Sequence, residues 1–70
     1  MKNVLLVEGE EKHESNELLG VFEDSGQGYL DAVTLAVGKA RERFKRFDDV
    51  RVYRVNVGGE LQERELLAIF

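Results

Sequence analysis

One segment of the chain has the periodicity of an amphipathic helix, and segments of β-type sequence lie on both sides of it. In residues 29–47 the apolar side chains recur at intervals of three and four, which predicts one helix with a buried stripe. The stripe consists of Tyr29, Val33, Ala36, Val37, Ala40, Phe44 and Phe47. Because one helix can cover only one face of a sheet, this pattern predicts a sheet whose other face is open.

The ends of the predicted helix carry charges that suit its dipole. Asp31 falls in the first turn. The last turns contain three basic residues, Arg43, Lys45 and Arg46. The turn-forming residues 24–28 precede the helix, and we interpret their glycines as serving a tight turn and the helix cap. An anion site is disfavoured there, because the neighbouring acids would repel a phosphate.

Two strands are predicted before the helix. Residues 3–8 are apolar on both alternating faces, which is typical of a central strand. Residues 18–23 are also β-rich, and Gly20 within them indicates a bulge or a close approach of another group. The connection between them, residues 9–17, begins with glycine and is strongly acidic. We expect the two strands to pair in the antiparallel sense.

A hairpin is predicted after the helix. Residues 50–57 alternate and are rich in valine, and Gly58-Gly59 is a signal for a two-residue turn. Residues 60–70 then return as the last strand. The alternative for residues 60–70 is a short helix, but their apolar positions make a poor helical stripe.

The register of this hairpin follows from the turn. Counting outward from the turn pairs Arg54 with Glu63 and Tyr53 with Arg64. The first is an opposite-charge pair and the second a cation–aromatic pair, and both favour this register.

These elements predict an α+β fold, a four-stranded antiparallel sheet with one helix packed on one face, in the order ββαββ. Residues 1–70 form a single domain. The last strand ends on five apolar residues, 66–70, which at an exposed edge would promote aggregation. We therefore expect it to lie inside the sheet, beside residues 3–8. A chain of 70 residues without cysteine has a small core and no disulfides, so we expect a homodimer or a larger partner to cover the second face.

Charge and composition exclude several classes of function. The formal net charge of −4 argues against general binding to nucleic acids or anionic membranes, which need a positive surface. The acids concentrate in residues 1–36 and the bases in residues 37–70. No apolar run is long enough for a membrane helix or a signal peptide, and cysteine is absent, so we expect a cytoplasmic protein.

The residues that catalysis or metal binding would need are few. His13 is the only histidine, and it stands among glutamates in a polar loop without converging ligands for zinc. Apart from the tyrosines, hydroxyl side chains are limited to Ser15, Ser25 and Thr34, and none has an evident base and orienting group. We predict no catalytic residue, no cofactor and no metal site.

Two surface features indicate contact with a partner. On a helical wheel Leu35 lies opposite the buried stripe, where it could anchor a partner protein. Basic residues flank it, namely Lys39, Arg43 and Arg46. The acidic loop is a second candidate surface, suited to a basic partner. Its candidate residues are Glu10, Glu11, Glu14 and Glu17.

The order of elements resembles that of small phage and mobile-element accessory proteins of ββαββ form, which include anti-CRISPR and other anti-defence inhibitors. Three parts carry the resemblance: the Leu19-Gly20-Val21-Phe22 strand, the helix, and residues 50–57 with Gly58-Gly59. It covers most of the chain and implies a non-enzymatic protein that occupies a surface of a larger machine. The acidic segment 8–24 would then mimic nucleic-acid phosphates.

The sequence therefore predicts a small acidic, non-catalytic protein–protein interaction module. It would be a homodimer, an inhibitor of a host nucleic-acid-handling defence complex, or both. The alternative is a nucleic-acid-binding module that uses the bases of the hairpin and of the helix. The helix bases are Lys39, Arg41, Arg43, Lys45 and Arg46. Salt dependence separates the two, because phosphate binding weakens steeply as salt rises.

Overall fold

The computed structural model describes residues 2–12, 14–42, 46–58 and 64–70. In chain order the elements are β1 (Lys2–Glu10), β2 (Glu17–Glu23), α1 (Gly26–Ala40), β3 (Asp49–Val57) and β4 (Arg64–Ile69). The strands form one antiparallel sheet in the order β2-β1-β3-β4, and α1 packs on one face against β1, β2 and β3. The predicted α+β fold with ββαββ order is confirmed.

The strand β1 lies inside the sheet, with β2 on one side and β3 on the other. Leu5 and Val7 on it are fully buried, as expected for a strand that is apolar on both faces. The prediction that the last strand lies beside residues 3–8 is wrong. Both sides of β1 are already occupied, so the hairpin places β4 on the far side of β3, at an edge of the sheet.

The helix begins one turn earlier than predicted. Ser25 is its N-cap, and the Ser25 hydroxyl accepts a hydrogen bond from the Gly28 backbone N–H at 3.0 Å. A Cβ on Gly28 would lie 1.8 Å from the Glu23 carbonyl oxygen, so the turn and cap require glycine there. Because the helix starts at Gly26, Asp31 lies beyond the first turn, which contains no acid.

The face that α1 turns to the sheet is lined by small residues. Gly28, Ala32 and Ala36 are its buried positions, whereas Tyr29 is 39% exposed. The predicted stripe is therefore rotated from the buried face, since it included Tyr29 and omitted Ala32. Small side chains allow the helix axis to come close to the sheet. This close packing, rather than the size of the apolar side chains, decides which side of α1 faces the sheet.

Leu35 packs against the core, so the prediction that it lies opposite the buried face is wrong. A Cβ on Gly20 would lie 2.9 Å from Leu35 Cδ2. Gly20 also lies at a bulge, where β1 pairs Val7 with Gly20 but Glu8 with Leu18. The missing side chain of Gly20 makes room for Leu35, and both predicted features of Gly20, the bulge and the close approach, are confirmed.

The helix ends at Ala40, well before the predicted end at residue 47. Lys39 is the basic residue of its last turn, and Arg46 lies in the connection to β3 instead. Phe47 is buried as predicted, but it belongs to this connection and covers Gly9, where a Cβ would lie 2.5 Å from the ring. The chain leaves the helix so that Phe47 can reach the core. Three residues of the predicted helix lie outside the described residues: Arg43, Phe44 and Lys45.

The register of the β3–β4 hairpin differs from the prediction by two residues. Arg54 pairs with Glu65 and Tyr53 pairs with Leu66, next to a bulge between Val52 and Tyr53. As far as Leu66, a shift of two keeps the side chains on their predicted faces, because strands alternate with a period of two. Beyond the bulge the shift is three, since Arg51 pairs with Ile69, so Ala68 and Ile69 lie on the faces opposite to the predicted ones. Gly58 has φ +97° as a turn residue, and the predicted partner Glu63 lies outside the described residues with Gly59.

Candidate interaction surface

The sheet face that points away from α1, here called the open face, carries a row of apolar side chains. Directly paired residues lie on the same face of a sheet. The pairings Leu6–Val21, Leu6–Tyr53 and Tyr53–Leu66 therefore define one row that crosses all four strands. Val21 and Leu66, at the two ends of the row, are 54% and 44% exposed.

Two further rows lie on either side of this apolar row. One contains Leu18, Glu8, Arg51 and Ile69, and the other contains Glu23, Val4, Val55 and Arg64. Leu18 and Ile69 are more than half exposed, as is Val57 at the end of β3. Most of the large apolar side chains that are exposed among the described residues thus lie on the open face, and patches of this kind mark contact surfaces.

The charges on the open face are joined across the strands. Glu8 is only 8% exposed, and its carboxylate accepts hydrogen bonds from Arg64 Nη1 at 3.0 Å and Asn16 Nδ2 at 3.2 Å. The Arg64 guanidinium also lies over the Tyr53 ring, 5.4 Å from its centroid. The predicted cation–aromatic contact therefore exists, although the two residues are diagonal rather than directly opposite. Two partners offset the cost of burying the Glu8 carboxylate.

Glu10 lies beside this network in a less favourable environment. Burial raises the pKa of the Glu10 carboxyl, and hydrogen bonding with Glu8 raises it further, while Arg51 at 3.4 Å opposes the shift. Among the described residues, no group donates a hydrogen bond to Glu10 Oε2, although that atom is buried. Hydrogen bonds to Tyr53 and Asp49 raise the pKa of Arg51, which keeps it charged. Glu10 is thus the carboxyl of the described chain for which ionisation is penalised most clearly.

A polar cleft of about 460 Å³ opens next to Glu10. It is lined by Glu10, Glu11, Lys12, Asn16, Asp48, Asp49 and Arg51. The cleft mixes acids with bases, and Asp48 accepts a hydrogen bond from the Lys12 backbone N–H. No group of three or more histidine or acidic side chains within the described ranges is arranged to hold a metal ion. His13 lies outside those ranges.

The acidic and basic residues predicted to bind partners meet each other at Arg46. Its guanidinium lies 2.5 Å from Glu17 Oε1 and 3.9 Å from Glu11 Oε1. Glu14 is exposed, and its backbone N–H donates to the Glu11 carbonyl. Part of the predicted acidic surface is therefore occupied by a base of the same chain.

Most of the described basic residues are paired with carboxylates in the same way. Lys39 lies 3.0 Å from Glu42 on the helix. Arg54 lies 3.0 Å from Asp24 and 2.6 Å from Glu65, and hydrogen bonding to Asp24 is the main cause that raises the Arg54 pKa. Arg51 and Arg64 pair with acids on the open face. These pairs leave little uncompensated positive charge for a phosphate backbone.

The apolar row of the open face is the functional candidate that sequence reasoning missed. The signal for an uncovered second face was present, because residues 3–8 are apolar on both faces. The row can be predicted only if the pairing register of all four strands is known, because its members are Val21, Leu6, Tyr53 and Leu66, one from each strand. From the sequence, part of that register was left open and part was predicted wrongly.

Comparison of the chain with models of protein families, with curated proteins and with solved structures found no match. Within the described residues, no helix has the length and apolar character needed to cross a membrane.

Proposed function

We propose that this protein is a non-catalytic protein–protein interaction module that docks through the open face of its sheet. The observation that carries the proposal is the apolar row across four strands, with Val21 and Leu66 about half exposed at its ends. Apolar surface is stabilised by about 25 cal/mol for each Å² removed from water, so this face gains from contact with another protein.

The layout of the open face supports docking of a protein in particular. Specific interfaces combine an apolar centre with a polar rim and use tyrosine and arginine as anchors. The open face places Tyr53, with Arg64 over its ring, inside the apolar row. Charged residues such as Glu8 and Arg51 lie in the flanking rows. A sheet face of this composition suits another protein surface better than a small molecule, which binds in concave sites.

Two occupants of the open face follow from the sequence. One is a second copy of the chain. The other is a protein of a host nucleic-acid-handling defence complex in the cytoplasm, which is the target that the resemblance to anti-defence inhibitors implies. Exposed acids such as Glu14 would then add contacts to a basic partner. Direct nucleic-acid binding has less support, because the described arginines of β3, β4 and the helix–β3 connection are paired with carboxylates.

Site-specific photo-crosslinking in cells that produce the protein tests whether the open face binds another protein. A photo-reactive phenylalanine analogue replaces Leu66 on the open face in one variant. In the control it replaces Leu30, which is 60% exposed on the outer side of α1. We expect covalent protein adducts from position 66 and few from position 30. Adducts to nucleic acid at position 66, or protein adducts of equal yield at both positions, would overturn the proposal.

A further inference from the structure

We propose that a second copy of this chain occupies the open face, in a face-to-face dimer whose two-fold axis runs parallel to the strands between β1 and β3. This inference rests on the proposed docking function and names the occupant. It is carried by the pattern of charged and apolar residues on the open face, which is complementary to itself about this axis. A symmetric dimer needs such self-complementarity, because the same patch serves both chains.

The axis brings β2 of one chain over β4 of the other, and β1 over β3. In the apolar row, Val21 then faces Leu66 of the second copy, and Leu6 faces its Tyr53. All four residues of this row are therefore matched with an apolar or aromatic neighbour.

The flanking rows match in the same way. In one of them Leu18 faces Ile69 of the second copy, and the acid Glu8 faces its base Arg51. In the other, Val4 faces Val55, and the acid Glu23 faces the base Arg64. In the three complete rows, apolar positions thus lie over apolar positions and acids over bases. Glu8 and Val55 are already buried within each chain, so they add little contact area to the interface.

The alternative in-plane axis, perpendicular to the strands along the apolar row, gives the opposite result. It would place each flanking row over the other flanking row, on the same strand of the second copy. Val4 would then face Glu8, Val55 would face Arg51, and charge would be buried against apolar surface at each of these contacts. The pattern of the open face therefore selects the axis parallel to the strands.

Positions at both ends of the sheet depart from this complementarity. At one end Lys2 pairs with Val57, so Lys2 would lie over the apolar Val57 of the second copy. The other end is formed by Glu10 and Asp49. Glu10 and Asp49 pair with each other across β1 and β3, so each would face the acid of the second copy. Arg51 lies 3.4 Å from Glu10 and 2.9 Å from Asp49 within each chain and compensates part of this charge. The repulsion limits the affinity at that end and leaves the three complete rows unaffected.

The size of the open face indicates a dimer that dissociates readily. Four strands about 4.8 Å apart, each contributing about seven residues at about 3.3 Å, give a face of roughly 450 Å². Because side chains add to the area of each face, two such faces bury about 1,000 Å² in total. This buried area is at the low end of the range for specific interfaces. Two sheets packed in this way lie about 10 Å apart, with their strands within about 30° of each other. We expect a dissociation constant in the micromolar range.

Sedimentation equilibrium on charge variants tests the occupant and the axis together. At about 100 micromolar we expect a mass of twice the 8.0 kDa of one chain. Leu66→Asp and Val21→Lys should each raise the dissociation constant more than about tenfold, because each puts a charge against an apolar side chain. An equimolar mixture of the two should dimerise again, since residue 66 of one chain then faces residue 21 of the other with opposite charge.

Leu30→Asp on the outer side of α1 is the matched control and should keep the wild-type mass. Circular dichroism confirms that each variant is folded, and both substituted open-face positions are exposed enough to accept a charge. A wild-type mass of 8.0 kDa at the highest concentration would overturn the homodimer. Monomeric variants whose mixture stays monomeric would overturn the axis. If the wild type is monomeric but position 66 still crosslinks a different protein in cells, only the second-copy proposal fails and the docking function stands.

Discussion

Single residues decide how closely the layers of this small domain approach each other. Gly9 lies under the Phe47 ring and Gly20 lies under Leu35, so two sheet positions without side chains accommodate two large apolar groups. In a core this small, each such pair fixes the position of a whole segment: the helix–β3 connection in the first case and the helix in the second.

Gly9→Ala should destabilise the protein by about 1–3 kcal/mol, because its methyl group would overlap the Phe47 ring. Combining it with Phe47→Leu should recover part of the loss, so the two changes should be non-additive. Gly38→Ala is the control. Apart from the neighbouring residues and backbone of the helix itself, no atom lies within 4 Å of the position that a Cβ on Gly38 would take, so Gly38→Ala should stabilise the protein by about 0.5–1 kcal/mol. Urea unfolding measures all of them, and equal effects of Gly9→Ala and Gly38→Ala would contradict the account.

Glu10 should make folding stability depend on pH. Burial raises the pKa of Glu10 in the folded state above the ordinary value of 4.5. At pH values between 4.5 and this raised pKa, the folded state therefore binds more protons than the unfolded state. The unfolding free energy contributed by Glu10 therefore falls as the pH rises through this interval.

Glu10→Gln removes that titration and keeps the shape of the side chain. The unfolding free energy of the wild type, relative to this variant, should decline as the pH increases from 4.5 towards neutrality. Urea titrations at a series of pH values measure the difference. A difference that stays constant, or that grows with pH, would show that the carboxyl is not penalised in the folded protein.

At the scale of the element, α1 depends on its N-terminal cap. The Ser25 hydroxyl accepts from the Gly28 N–H, whereas the Thr34 hydroxyl donates to the Leu30 carbonyl in the middle of the helix. Ser25→Ala should cost about 1 kcal/mol, and Ser25→Asp should restore most of it. Thr34→Ala should be neutral or slightly stabilising, because alanine is the better helix former. Thermal unfolding measures the three variants, and an equal loss for Ser25→Ala and Thr34→Ala would exclude the capping role.

The identity and order of the elements could be predicted from the sequence, but the phase and end of the helix could not. The period of two in residues 50–57 and the double-sided apolar pattern of residues 3–8 are local signals, and both strands were predicted correctly. The phase of α1 depends instead on contacts distant in sequence, such as Leu35 against Gly20. Its end depends on Phe47 reaching Gly9, and helical periodicity continues past the point where the chain turns away.

At the scale of the whole molecule, the sheet has one face covered by α1 and one face that the chain leaves exposed. The sequence predicted such a face from the single helix, but it placed the last strand in the interior. With β4 at an edge, its apolar residues Leu66 and Ile69 extend the open face and add to its contact area. Two of the residues predicted to bind a partner through the helix have other roles in the structure. Leu35 packs against the core, and Arg46 is paired with acids of the loop.

The most direct test of the open face as the surface that binds a second copy is an NMR dilution series on methyl-labelled protein. From about 1 to about 500 micromolar, we expect concentration-dependent shifts of the methyl groups of Leu6, Val21 and Leu66, which lie in the apolar row. The methyl groups of Leu30 on the outer side of α1 should not shift. Constant spectra for the open face over the whole range, or shifts centred on Leu30, would contradict the account.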